Sequence, residues 1–178
     1  LPPLREAISQ RLEAGDLRQG EALLTQYEGC LDQSDVAATD ARRCWGALMQ
    51  VRLAGLRGDD EAFDRFAALV RGAMPRRRHR DLEMTLLFEE AHRSARRGDL
   101  VAAVSELQAV RQQAEEVHDV KLLAQCLAEE ARLAESLGGR DRAQETHRES
   151  LLLFEKLEDP VAAGRALTAM ASLSIRAG

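Results

Sequence analysis

Apolar residues recur along the chain at spacings of three and four, interrupted by Gly, Asp or both, and the pattern predicts helices from end to end. Pro2 and Pro3 suit a helix start, Leu4, Ile8 and Leu12 follow, and Gly15 stops them. Asp16 with Gln19 resembles a capping box, and Leu17, Leu23, Leu24 and Tyr27 line a second helix ending before Gly29. Ser34 and Asp35 offer a cap for a long third helix carrying Ala47, Leu48, Val51, Ala54 and Leu56 up to Gly58. Asp59 or Asp60 caps a fourth, with Phe63, Phe66, Ala67, Leu69 and Val70 on its buried side. From Arg71 to Arg80 five arginines and His79 stand without an acid, and Pro75 interrupts the helical pattern, so a loop is expected.

Asp81 restarts the pattern, and Leu86, Leu87, Ala91 and Ser94 lead to Gly98. Asp99 caps an amphipathic stripe of Leu100, Ala103, Val104, Leu107, Val110 and Ala114. Asp119 opens a helix whose apolar residues, among them Leu122, Leu123, Cys126, Leu127, Ala131, Leu133, Ala134 and Leu137, cover two faces. After Gly138-Gly139, Asp141 with Gln144 caps a segment with Ala143, Leu151, Leu152 and Phe154, and Asp159-Pro160 pairs a cap residue with an N1 proline.

The pattern repeats. Gly98, Gly138 and Gly178 share one spacing of 40, as do Leu87, Leu127 and Leu167, and Ala91, Ala131 and Ala171; Gly58 lies another 40 upstream, and Gly15 a further 43. A fixed period in this range marks an array in which each unit buries its apolar face on the next. Units are expected at about 1–34, 35–74, 81–118 and 119–158, with a half unit at 159–178, in a single all-α domain of about nine helices in antiparallel pairs. Ala91 and Ala131 are expected at close helix contacts, facing Ala103 and Ala143.

These residues resemble the tetratricopeptide repeat, in which small residues of a first helix pack on an alanine of the second after a turn containing Gly. Leu87, Ala91, Ser94, Gly98, Ala103 and Leu107 have the matching spacing, as do Leu127, Ala131, Ala134, Gly138, Ala143 and His147, and then Leu167, Ala171, Ser174 and Gly178. Ala47, Val51, Ala54, Gly58, Phe63 and Ala67 form a fainter unit, and Leu4, Ile8, Gly15, Gly20 and Leu24 the faintest. The period of 40 exceeds the 34 usual in that family, and a small residue stands where it commonly has tyrosine. The resemblance implies a right-handed α-α superhelix without chemistry of its own, whose first helices line a concave groove for a peptide or protein partner. Similar arrays serve as sensory or interaction modules of bacterial regulatory and signalling proteins, including transcription factors and diguanylate cyclases.

Setting the register on Gly58 places Trp45, Leu48, Met49 and Arg52 on the groove side. The register on Gly98 adds Phe88, Glu89, His92 and Arg96, and the next unit adds Gln125, Glu129 and Arg132. Aromatic and Met surface beside Arg suits peptide anchoring. The alternative is that Trp45 and Phe88 simply fill core, and for Trp45, in a faint unit, the two readings stand level.

Composition narrows the function classes. The net charge is −5 and gives no global sign of a nucleic-acid binder, which leaves Arg76–Arg80 as the one basic run to contact phosphates or an acidic partner, if it is more than a solvated loop. Three cysteines without C-x-x-C spacing point to neither a disulfide framework nor a zinc site, and a cytoplasmic setting without membrane association is expected. A first residue of Leu1 points to a segment of a longer protein. No phosphate-cradling G-x-x-x-x-G-K occurs and no nucleophile is singled out, so neither enzyme activity nor a cofactor is expected. The alternative chemistry is a helical-bundle metalloprotein using Glu89-x-x-His92 and Glu115-x-x-His118, against which stand His118 at a turn and helices too short for a bundle. Asp159–Gly178 reads as the first helix of a fifth unit, and its Leu167, Met170, Leu173 and Ile175 spread too widely for one face. That helix is expected either to continue into further repeats or to pack on a second copy as a homodimer.

Overall fold

The turn is the smallest repeated element. In the computed structural model, which describes residues 2–32, 39–73 and 80–175, the chain takes a left-handed residue at Gly15, Gly58, Gly98, His118, Gly138 and Glu158. At each, the left-handed residue's N–H donates to the carbonyl three residues back, and the next N–H reaches five back: Gly98 to Ala95 and Asp99 to Ser94, Glu158 to Glu155 and Asp159 to Phe154. This is the Schellman arrangement, which satisfies carbonyls that a helix end leaves open. Five of the six turns then place an Asp whose Oδ1 accepts the N–H three residues on: Asp16 from Gln19, Asp59 from Ala62, Asp99 from Ala102, Asp119 from Leu122 and Asp159 from Ala162. One helix is closed and the next opened within two or three residues.

The helices among the described residues are α1 (Pro2–Glu13), α2 (Leu17–Asp32), α3 (Thr39–Arg57), α4 (Asp60–Ala73), α5 (Arg80–Arg96), α6 (Leu100–Val117), α7 (Val120–Ser136), α8 (Arg140–Lys156) and α9 (Pro160–Ile175). No strand occurs among those residues, so the fold is all-α.

Several boundaries differ from the sequence reading. The second helix does not end before Gly29 but continues to Asp32, because Leu31 is buried in the core and holds the last turn in place. Helix α4 takes in Arg71–Ala73, part of the expected loop. The eighth helix is capped by Gly139 without a side-chain bond, and Asp141 lies inside its first turn instead of at the cap. Leu56, Leu69, Leu137 and Leu152, read as apolar-face positions, are exposed. The cap expected at Ser34 or Asp35 lies outside the described residues.

The chain divides into two compact units, Leu1–Glu89 and Glu90–Gly178. In the first, Ile8 and Leu12 of α1, Leu24, Tyr27 and Leu31 of α2, Leu48, Val51 and Leu53 of α3 and Phe63, Ala67 and Val70 of α4 share one core. Helices α1 and α2 approach closely at Gly20, where an added Cβ would fall 2.6 Å from Cδ2 of Leu12.

In the second unit α8 packs on both α7 and α9. At one end Ala143 sits with Ala134 and Leu173, and at the other Phe154 sits with Ala124 and Ala163. The start of α8 thus meets the ends of its neighbours and its end meets their starts, so the three helices run antiparallel. Arg140 ties the same end together by donating to the carbonyl of Leu173. Ala91, Ala103, Ala131 and Ala143 are all fully buried, and Ala143 clusters with Ala134 and Leu173.

Candidate functional site

In unit 1 the residues named as groove anchors lie mostly inside. Trp45 is buried, its ring edge-on to Tyr27 with centroids 5.0 Å apart, and the Arg5 guanidinium lies 4.5 Å from the ring centre. Tyr27 in turn donates its hydroxyl to the Arg42 carbonyl, and burial raises its phenol above the usual value. Met49 and Phe88 are buried as well. Arg52 lies 3.8 Å from Glu13 and 3.6 Å from Glu89, a carboxylate that is itself buried. A carboxylate out of water needs such company, since desolvation penalises its charge.

In unit 2 the register brings together residues from α5 and α7. His92 Nδ1 lies 3.7 Å from Oε2 of Glu129, and Arg132 donates to Oε1 of the same carboxylate at 3.2 Å. Gln125 is half-buried one turn before Glu129 on α7, and Arg96 is exposed one turn after His92 on α5. The arrangement is a half-buried carboxylate held between an imidazole and a guanidinium, with an amide able both to donate and to accept alongside. It can hydrogen-bond an extended backbone or pair with a charged side chain. Sequence reasoning missed a second bridge, Arg111 of α6 to Glu130 of α7 at 3.1 Å, because its partners belong to different helices with no motif between them.

Nothing in this cluster supplies a nucleophile. Burial pushes the Cys126 thiol up to about 12, which keeps it protonated, and the hydroxyl of the buried Ser150 donates to the carbonyl of His147. Of the two Glu-x-x-His pairs, His118 is the exposed left-handed cap of α6, and Glu115 is exposed and bound to Arg111 at 3.0 Å. Among the described residues, no three or more His, Cys, Asp or Glu come together as metal ligands. Of the basic run Arg76–Arg80, only Arg80 is described; it is exposed and begins α5. No helix among the described residues is long and apolar enough to cross a membrane.

Compared with protein-family models, with curated proteins and with solved structures, the chain matches none.

Proposed function

We propose that the chain is a helical-repeat scaffold, a right-handed TPR-like α-α superhelix, that holds a peptide or protein segment on its first helices. Its place would be that of a sensory or interaction module in a bacterial regulatory or signalling protein. The observation that carries the reading is the meeting of His92 and Arg132 on the one carboxylate of Glu129. His92 and Arg132 hold the same position in successive repeats, and an array builds a composite surface by bringing such positions side by side. The six recurrent turns support the same reading. Partner binding falls to Gln125, Glu129, Arg132, His92 and Arg96 in unit 2, and to Arg52 and Glu89, with the buried Trp45, Met49 and Phe88 as support, in unit 1.

Panning a displayed library of random peptides against the purified chain tests this. Enriched peptides are expected to bind in the micromolar range, about −8 kcal/mol. Arg132→Ala or His92→Ala should weaken that binding about tenfold, and Arg148→Ala on the exposed face of α8 should leave it unchanged. Failure to enrich any peptide, or binding indifferent to Arg132 and His92, would sink the reading.

A further inference from the structure

Helices α2 and α4 both pack on α3, and where the three meet, unit 1 opens into a pocket of about 310 Å³. Helix α2 lines it with Glu28 and Leu31, and α4 with Phe66 and Leu69, each pair one turn apart. From α3 come Gly46 and Ala47, one turn after Arg43. The space exists because the middle of α3 is small. Gly46 lies against the Tyr27 ring, where an added Cβ would stand 3.4 Å from Cε1, and Ala47 beside it is too short to fill the gap. Leu69 borders the opening and is 56% exposed, although its helical position is one the sequence pattern assigns to the buried side.

Charge at the pocket is unbalanced. The Glu28 carboxylate already accepts a hydrogen bond from Nε2 of Gln50 at 2.9 Å. Arg43 is exposed and has no ion-pair partner among the described residues, whereas Arg11, Arg52 and Arg57 of the same unit each hold a carboxylate. A second guanidinium, that of Arg65, lies 5.0 Å from the centre of the Phe66 ring. The pocket thus offers an apolar interior with a free cation on its wall.

We propose that this pocket binds a free aliphatic carboxylic acid, its carboxylate on Arg43 and its chain against Leu31, Ala47, Phe66 and Leu69. A guanidinium matches a carboxylate with two parallel N–H donors. At about 30 Å³ for a water-sized group, the volume holds about ten non-hydrogen atoms, which suits a chain of about eight carbons with its acid head. The lining also says what the occupant lacks. The backbone of all three helices is bonded to itself, and Glu28 and Arg43 are the only lining side chains that hydrogen-bond. The amide of a peptide end would be buried here without a partner, at a cost a simple acid does not meet. The site shares no residue with the one at His92 and Glu129.

Titration of the purified chain with sodium octanoate, followed by methyl and amide NMR, tests this. Saturable shifts are expected at Leu31, Ala47 and Leu69, with a Kd of about 0.1–1 mM. Arg43→Gln and Leu69→Asp should each weaken binding about fivefold or more, and Arg18→Gln, an exposed arginine elsewhere on α2, should leave it within about twofold. Arg43 and Leu69 are both exposed, so the two variants should melt within about 2 °C of the parent. Octanol and octylamine should bind about fivefold more weakly than octanoate. Equal binding of octanol, or shifts as large at the exposed Leu137 and Leu152 as at Leu69, would overturn the proposal. Tighter binding of an acetylated peptide ending in leucine would also overturn it, by assigning the pocket to a chain end.

Discussion

Nε2 of His147 lies 2.8 Å from Oε1 of Glu135, joining α8 to α7 at a position where the preceding repeat buries Leu107. The ring is only 3% exposed, and its Nδ1 has no hydrogen-bond partner among the described residues. Removing the carboxylate would leave a buried ring with neither nitrogen satisfied. Glu135→Ala is therefore expected to cost about 1–3 kcal/mol in urea unfolding. Adding His147→Leu, the residue type of the neighbouring repeat, should recover that loss to within about 1 kcal/mol. A double variant as unstable as Glu135→Ala alone would show that the ring's shape, and not its hydrogen bond, is what the site requires.

Two of the six turns hold a left-handed residue other than Gly, His118 at φ 58° and Glu158 at φ 54°. A Cβ crowds the following carbonyl in that conformation, so Glu158→Gly should stabilise by about 1 kcal/mol and Gly138→Ala should destabilise by about the same amount. At the neighbouring cap, Gly139→Asp should add a few tenths of a kcal/mol by supplying the missing side-chain acceptor. Space allows it, because a Cβ there meets only the Ala134 carbonyl oxygen at 3.4 Å. Thermal unfolding of the three variants gives the signs directly.

Ala143 is fully buried between Ala134 and Leu173, and Ala171 is exposed on the far side of α9. The same substitution separates them. Ala143→Leu should overpack the α8 contacts at a cost of about 1–3 kcal/mol. Ala171→Leu should change stability by less than about 0.5 kcal/mol. Equal denaturation midpoints for the two variants would contradict the packing described.

Burial raises the Cys126 thiol from 9.0 to about 12. The unfolded chain sheds that proton above about pH 9, while the folded chain keeps it until about pH 12, so the group favours folding below pH 9 and its contribution is lost as pH climbs through that window. Cys126→Ala should flatten the alkaline fall in melting midpoint between about pH 9 and pH 11. At neutral pH a thiol reagent should label half-buried Cys30 before Cys44 or Cys126, as read by peptide mass spectrometry.

What the sequence revealed was the local chemistry. Gly98-Asp99 and Asp159-Pro160 are boundaries because a left-handed glycine, an Asp cap and an N1 proline each act within a few residues. The turns at His118 and Glu158 were harder to see as left-handed. There the Schellman bonds impose the conformation on residues that do not favour it, so no glycine marks them. Trp45 was ambiguous because its surroundings are distant in sequence: it sits on α3, whereas Tyr27 belongs to α2 and Arg5 to α1. At the candidate site the repeat register put His92 and Glu129 on one side of their helices, and the 3.7 Å contact between them is a detail of side-chain placement that the register does not carry. Which of the two readings held for Trp45 and Phe88, and that Met49 is buried, was not legible, since a helical pattern marks a residue as apolar without saying which neighbour covers it.

In unit 2 the left-handed turns fall at His118 and Glu158 and, midway between and before them, at Gly138 and Gly98, so they divide the chain evenly. Such spacing has a mechanical corollary. A tether drawing on the unit from its last helix would release material in equal lengths, each about 70 Å of extended chain before allowing for the width of the detached helix. A unit that yields one helix at a time would act as a ruler graduated by its turns, and a force trace is expected to read the graduations as evenly spaced teeth.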